Sequence, residues 1–247
     1  SLRTALTHSR NIVTVKLLQN IGVKRAVQTA RDLGITSHLE DNLSIALGSS
    51  GTTLYELTSA YATLANMGQR IEPISIRYIK NRKDEVVYTS TPKVTQPISS
   101  GVAYIITNLL QSVVQNGTGK AVKILKRPVA GKTGTTNNYV DAWFLGYTPE
   151  LVTGVWVGKD KDEPLGANET GSRAAIPIWL RFMQSALKSA PVKNFPISDE
   201  IVYTKVNPET GNPASSYDEE GKFEIFLSDH LPESITTSSI LTEDNTF

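Results

Sequence analysis

Cysteine is absent from the 247 residues, which excludes disulfides, thiolate nucleophiles and cysteine-ligated metals. Histidine is scarce. His8, His38 and His230 are scattered, leaving little for a metal centre or a Ser-His-Asp triad. No apolar run reaches the roughly 18 residues that a bilayer span needs, and no signal peptide is visible. An excess of one charge is missing too: 25 basic against 24 acidic residues give +1, without the basic cluster that marks a nucleic-acid partner. What is present is 39% apolar residues, enough for a sizeable core in one large domain or two small ones. The chain opens inside sequence that reads as structured, Ser1-Leu-Arg-Thr-Ala-Leu6, without a starting methionine, and is expected to be a piece of a longer protein.

Residues 1–70 read as helical. Ile12, Val15, Leu17 and Leu18 precede Gly22, and Val23 to Leu33 ends at Gly34, a C-terminal cap. Thr53-Leu-Tyr-Glu56 has the form of a capping box, opening a helix through Leu57, Tyr61, Leu64 and Ala65. The period then changes. Ile74 to Ile79 and Glu85 to Thr89 flank the polar turn Asn81 to Asp84, a hairpin signal. A helix starts at Ser99 or Ser100, with Val102, Ile105, Ile106, Leu109, Leu110 and Val113 on one apolar face, and ends in Asn116-Gly-Thr-Gly119.

Three strands are predicted next: Pro128 to Thr135, Ala142 to Tyr147 and Leu151 to Val157. The last two are joined by Thr148-Pro-Glu150, short enough for antiparallel pairing. A final amphipathic helix covers 174–188, with Pro177 in its first turn. Trp143, Trp156 and Trp179 fall in these apolar patterns and are expected in the core. Beyond about 191 turn formers accumulate, as in Asn207 to Pro213, and Ser234 to Phe247 is polar and reads as disordered. The order of elements predicts an α/β sandwich: an antiparallel sheet flanked by helices, with an all-helical subdomain. A domain over 1–190 is expected, made of a helical part (1–70), a hairpin and connector (71–97) and a helix, sheet and last helix (98–190). A C-terminal extension would cover 191–247.

Chemistry concentrates in Ala130-Gly-Lys-Thr-Gly-Thr-Thr136. Lys-Thr-Gly on an edge strand provides a cation, a hydroxyl and a glycine that lets a backbone approach closely. Such a strand suits an extended peptide laid beside it, and Lys132 with the hydroxyls of Thr133 and Thr135 would favour a carboxylate. The tripeptide is also common in ordinary turns. Ser9-Arg-Asn11, a Ser-x-Asn entering a helix, reads just as simply as an N-cap. His8 beside it reads as a surface or capping residue.

Taken together and in this order, the two elements resemble the second and third motifs of the penicillin-recognising serine enzymes, the first being Ser-x-x-Lys. Arg10 stands where the β-lactamase form has aspartate, a departure toward the transpeptidases. Asp141-Ala-Trp-Phe-Leu-Gly-Tyr-Thr-Pro149, Ala46-Leu-Gly-Ser-Ser-Gly51, Glu56-Leu-Thr-Ser-Ala-Tyr-Ala-Thr-Leu-Ala-Asn66 and Val113-Val-Gln-Asn-Gly-Thr-Gly119 closely resemble class A penicillin-binding proteins, the bifunctional murein synthases. The likeness runs from residue 1 to about 190.

That resemblance implies a penicillin-binding, β-lactamase-like transpeptidase fold and acyl transfer through a serine ester. The substrate would be the D-Ala-D-Ala end of a peptidoglycan stem peptide, imitated by β-lactam antibiotics, and no cofactor would be needed. It implies that Ser9 and Lys132 pass a proton to the leaving nitrogen, and that Asn11 holds the substrate and orients the first motif's lysine. The Thr135 amide would donate in the oxyanion hole. Thr133, Gly134, Thr135 and Thr136 would bind the substrate. It further implies a bacterial envelope location, with a membrane helix and a glycosyltransferase domain elsewhere in the parent.

The nucleophile is expected upstream of Ser9, outside this sequence. Ser90-Thr-Pro-Lys93 and Ser185-Ala-Leu-Lys188 match the spacing of Ser-x-x-Lys, but Pro92 disfavours a helix at the first, and the second follows Lys-Thr-Gly. An upstream segment of the same protein is therefore an expected partner, and this chain alone should not be acylated. Two alternatives are a class B, monofunctional transpeptidase and a β-lactam-sensing domain that acylates without turnover. A plain interaction domain is disfavoured by retention of both motifs.

Overall fold

The structure, a computed structural model, describes residues 1–215 and 217–232. The expectation of disorder over 234–247 lies outside the described residues. The described residues divide into two compact units, Leu2–Ser198 and a smaller one made of Ser1 with the described residues from Asp199 onward.

The larger unit begins with three helices, α1 (Leu2–Thr7), α2 (Asn11–Ile21) and α3 (Val23–Asp32). Gly22 ends α2 at φ +87, a conformation that side chains with a Cβ rarely adopt, and returns its N–H to the Leu18 carbonyl at 2.8 Å. The helical expectation is too generous for 33–53, which is irregular apart from one 3₁₀ turn at Leu43–Leu47. Helix α4 (Leu54–Ala65) opens with the capping box foreseen: the Thr53 hydroxyl accepts from the Glu56 N–H, and the Glu56 carboxylate accepts from the Thr53 N–H.

A short strand β1 (Arg70–Ile71) pairs with β4 (Val94–Thr95), and between them β2 (Tyr78–Lys80) and β3 (Val86–Thr89) form the predicted hairpin, exposed along its whole length.

Ser99 caps α5 (Ser100–Asn116) by accepting from the Val102 N–H. The deeply buried face of α5 is not simply the predicted apolar stripe. Ala103, Tyr104, Thr107, Leu110, Val113 and Val114 are buried, while Val102, Ile105, Ile106 and Leu109 are half-buried. Small residues on this face let the helix lie close against strand β5 (Ala130–Thr135). The buried Thr107 hydroxyl meets the buried Tyr147 hydroxyl at 2.9 Å, satisfying both.

Strand β5 continues the central sheet with β6 (Ala142–Tyr147) and β7 (Val152–Val157), antiparallel in the order β5-β6-β7, as the sequence predicts. One face of this sheet carries Phe144 and packs on α6 (Ile176–Ala186), entered through a π-helical turn at Gly171–Ala175. Trp179 is fully buried there, edge-on to Phe144 at 5.2 Å, with its indole N–H on the Thr153 carbonyl at 3.0 Å. Alternation along β6 puts Trp143 and Leu145 on the other face, toward α4.

The smaller unit contains a feature the sequence reading omits. Strands β8 (Ile201–Val206) and β9 (Lys222–Leu227) pair antiparallel from Ile201↔Leu227 to Val206↔Lys222. The turn formers noted at 207–213 do form a turn, with the Asn207 side-chain oxygen accepting from the N–H groups of Glu209 and Thr210.

Candidate active site

Strand β5 sits at the edge of the central sheet among the described residues, and its hydrogen-bond phase decides what it offers. Thr136 donates its N–H to the Asp141 carbonyl at 3.1 Å. In an antiparallel ladder hydrogen-bonded pairs alternate, so Gly134 and Lys132 also turn their main-chain groups toward β6. Thr133 and Thr135 then direct their N–H and C=O groups outward, along the free edge.

Side chains alternate as well. Lys132 shares a face with Trp143, Leu145 and Trp156, while Thr133 and Thr135 lie on the opposite face with Phe144. The Thr133 hydroxyl meets that of Thr118 at 2.7 Å, and Thr118 is held in turn by the Ser172 hydroxyl on its carbonyl. The Thr135 hydroxyl accepts the Gly171 N–H at 3.1 Å and keeps its own proton for a further acceptor. Thr136 is bound into the turn, its hydroxyl accepting the Asp141 N–H at 2.8 Å. Gly171 approaches the strand so closely that a Cβ there would stand 2.3 Å from the Trp143 carbonyl oxygen and 2.6 Å from that of Gly134.

Ser9 reaches this strand from the corner between α1 and α2. It holds φ +55, unusual for a residue with a side chain, with its N–H on the Leu6 carbonyl at 3.2 Å. The capping alternative fails: Arg10 occupies the N-cap of α2 without a side-chain bond. Instead the Ser9 hydroxyl accepts from the Lys132 ammonium at 2.7 Å across 123 residues of sequence. Asn11 stands exposed in the first turn of α2, two residues on. His8 is exposed beside Ser9.

Lys132 also donates to the Thr133 carbonyl at 2.8 Å. Both acceptors are neutral, and burial pushes the ammonium down to about 8. Lys132 therefore sits near the point where it can give up or take a proton at neutral pH.

The Lys132 face opens on a cavity of about 800 Å³ between the sheet and α4. Its walls include Leu47, Leu54, Leu57, Tyr61 and Leu145, together with the Ser49–Thr53 stretch. Two tryptophans expected in the core line it instead. Trp143 is half-buried, and Trp156 is 41% exposed and donates its indole N–H to Asp141. An apolar alternation in β6 and β7 identifies the face they occupy, but not whether anything covers that face. Ser90 leaves β3 with its N–H on the Arg77 carbonyl, and Ser185 lies near the end of α6; neither lines the cavity.

With this geometry in view, the likeness to known proteins is specific. The family described as penicillin binding protein transpeptidase domain matches residues 1–184. Penicillin-binding protein 1A of Aquifex aeolicus is 36% identical over 209 residues, 85% of this chain and 29% of that protein. The protein of the same name from Neisseria lactamica is 38% identical over 209 residues, 82% of this chain and 26% of its own length. The chain thus spans less than a third of either relative. The crystal structure of penicillin-binding protein 1A from Haemophilus influenzae superposes with a TM-score of 0.87 at 26% identity, covering 94% of this chain and 40% of that one. The PonA1 protein of Mycobacterium tuberculosis in complex with penicillin V gives 0.70 at 30% identity, over 79% and 58%.

Proposed function

This chain belongs to the penicillin-binding protein transpeptidase family, and we propose that it forms the second and third motifs of a class A peptidoglycan D,D-transpeptidase. The reaction is acyl transfer. A serine oxygen attacks the carbonyl between two D-alanines, the C–N bond breaks, and the terminal D-alanine leaves with a proton. The ester then passes its acyl group to an amine of a second stem peptide. β-Lactams present a similar amide and stop at the ester.

In this reading Lys132 and Ser9 relay the proton to the departing nitrogen, the general-acid part of the cycle. The outward N–H of Thr135 donates to the developing oxyanion, a contribution worth roughly 3–4 kcal/mol of barrier. The substrate backbone lies along Thr133, Gly134, Thr135 and Thr136 as an added strand, and the free proton of the Thr135 hydroxyl goes to its terminal carboxylate. Asn11 holds the substrate's amide side. The nucleophile comes from a Ser-x-x-Lys segment upstream of Ser9, and the cavity against α4 is its seat. The apolar walls of that cavity, and the exposed Ile12, Val13, Leu17 and Ile21 of α2, suit a helix packed there. The working location is the outer face of a bacterial inner membrane.

The single observation that carries this reading is the 2.7 Å contact of Lys132 with Ser9 beside the outward-facing Thr135. Fluorescent penicillin added to this chain, and to the parent protein that includes the upstream segment, tests it. The parent should retain label through denaturing electrophoresis and this chain should not. Label on this chain alone would overturn the assignment of the nucleophile, and no label on the parent would overturn the transpeptidase reading.

A further inference from the structure

The stretch Val113-Val-Gln-Asn-Gly-Thr-Gly119 takes no part in the reaction described above, yet three elements of the site meet on it. It is firmly held. Val113 and Val114 are buried in the core, and the Val113 carbonyl accepts from the N–H groups of Gly117 and Gly119 at 3.0 and 3.1 Å. Gly117 lies so close to α1 that a Cβ there would stand 2.1 Å from the Thr7 carbonyl oxygen, which excludes a side chain.

Thr118 directs each of its polar groups to a different element. Its N–H reaches the Thr7 carbonyl at 3.4 Å, its carbonyl accepts the Ser172 hydroxyl at 2.7 Å, and its hydroxyl meets that of Thr133 at 2.7 Å. All of these contacts form within this chain, and no residue of the stretch lines the cavity given to the upstream segment. What fills that cavity therefore leaves them in place.

The contacts lead to the proton path. Thr7 ends α1, and the corner after it is closed by the Ser9 N–H on the Leu6 carbonyl and the Arg10 N–H on the Ala5 carbonyl, so Ser9 rides on the end of that helix. Thr133 follows Lys132, and its carbonyl accepts the Lys132 ammonium at 2.8 Å. Strand β5 is laddered to β6 on one side only among the described residues. Through Thr133 it is tied to the same loop that abuts α1.

We propose that Thr118 is a positioning residue for proton delivery: its hydroxyl, acting through Thr133, keeps the Lys132 ammonium within reach of Ser9. This rests on the transpeptidase reading and adds a residue to it. As the serine ester forms and the C–N bond breaks, the Ser9 hydroxyl gives its proton to the departing nitrogen and takes one from Lys132, which ends as a neutral amine. Thr118 touches neither the substrate nor the moving proton. Its loss should matter for a leaving group that needs a proton and not for one that departs without it.

The test uses the full-length parent protein and two acyl donors. Benzylpenicillin takes up a proton on its ring nitrogen as the C–N bond breaks, whereas an acyl-D-alanyl thioester releases a thiolate. The ratio of the two acylation rate constants is read on each sample, so a smaller folded fraction or a weaker oxyanion hole cancels. Thr118→Val keeps the shape, removes the hydroxyl and should lower the penicillin-to-thioester ratio about three- to tenfold, as loss of a neutral hydrogen bond does. Thr118→Ser retains the hydroxyl and should stay within about twofold of wild type. Thr133→Val removes the other half of the pair and should lower the ratio by a similar factor, with the double variant falling no further than either single one.

If Thr118→Val does not fold, Thr133→Val carries the test alone. An unchanged ratio in either variant, a Thr118→Ser as impaired as Thr118→Val, or a double variant whose fall is the product of the two would overturn the role of Thr118. Ser9→Ala separates that failure from failure of the premise. It should lower the ratio by more than about tenfold; an unchanged ratio there would overturn the proton relay itself. Failure of the wild-type parent to form any acyl-enzyme would overturn the transpeptidase reading.

Discussion

Replacing Glu56 by glutamine tests how the wall of the groove is held. The Glu56 side chain is only 6% exposed and receives seven donors. Three reach one oxygen, from the Thr36 and Ser37 N–H groups and the Thr36 hydroxyl. Four reach the other, from the Thr53 N–H and the hydroxyls of Ser37, Thr52 and Thr53. A glutamine can keep its oxygen toward Thr36 and Ser37. Its NH₂ then faces the Thr53 N–H, which cannot turn away, while its two hydrogens can serve at most two of the three hydroxyls once these rotate to accept. One orphaned backbone donor and the loss of charge from the remaining bonds should cost about 2–3 kcal/mol, or a fall in melting temperature of about 5–10 °C.

The pH dependence gives a second, independent reading. Hydrogen bonds from Ser37 and then Thr36 hold the Glu56 carboxyl well below the usual carboxylate range. The unfolded chain protonates this group near pH 4.3 while the folded one stays ionised. The advantage of wild type over Glu56→Gln should therefore be complete above about pH 5 and shrink steadily as pH falls through 4. Urea denaturation followed by circular dichroism at about pH 7 and about pH 3.5 measures both differences. A gap below about 0.5 kcal/mol at neutral pH, or one that does not narrow in acid, would refute this account of the carboxylate.

Two further outcomes follow from the strand. Gly171→Ala places a methyl against two main-chain oxygens that cannot give way, so it should destabilise the chain by about 2–4 kcal/mol in thermal or urea unfolding; a loss under about 1 kcal/mol would show that the π-turn yields. Lys132 is pushed down to about 8 by burial, so the folded chain releases this proton before the unfolded one. Wild type should then gain stability relative to Lys132→Met as pH rises from about 8 to about 10. A flat or falling difference in urea midpoints over that range would mean that Ser9 and the Thr133 carbonyl outweigh desolvation.

Much of this fold was legible because its signals are local. The capping box at Thr53 and Glu56, the Ser99 cap and the three central strands need only period and turn chemistry, and each appears within a residue or two of its expected bounds. What sequence alone withholds is the partner. Ser9 has the sequence context of a cap and the structure of a hydrogen-bond acceptor for a lysine 123 residues away. Trp156 has the pattern of a core residue, yet its face of β7 opens on a cavity. The helix α5 shows the same limit: periodicity finds its apolar stripe, but close approach to β5 places Ala103 and Thr107 deeper than Ile105 or Ile106. Strands β8 and β9 were obscured by the turn-rich stretch between them, although Ile201 to Val206 carries β-branched residues suited to a strand.

The phase of β5 has a consequence for any chain that lies against it. Only every second residue of that strand speaks to a visitor, so contact is counted in dipeptide steps of about 6.8 Å. The Thr133 carbonyl is already occupied by Lys132, which leaves the amide at Thr135 as the next word in the sentence. A guest that slips by one residue meets the strand out of step and loses its pairing; one that slips by two regains it with the wrong bond over Thr135. The edge can thus reject odd misalignments by itself, and must rely on side chains to reject even ones.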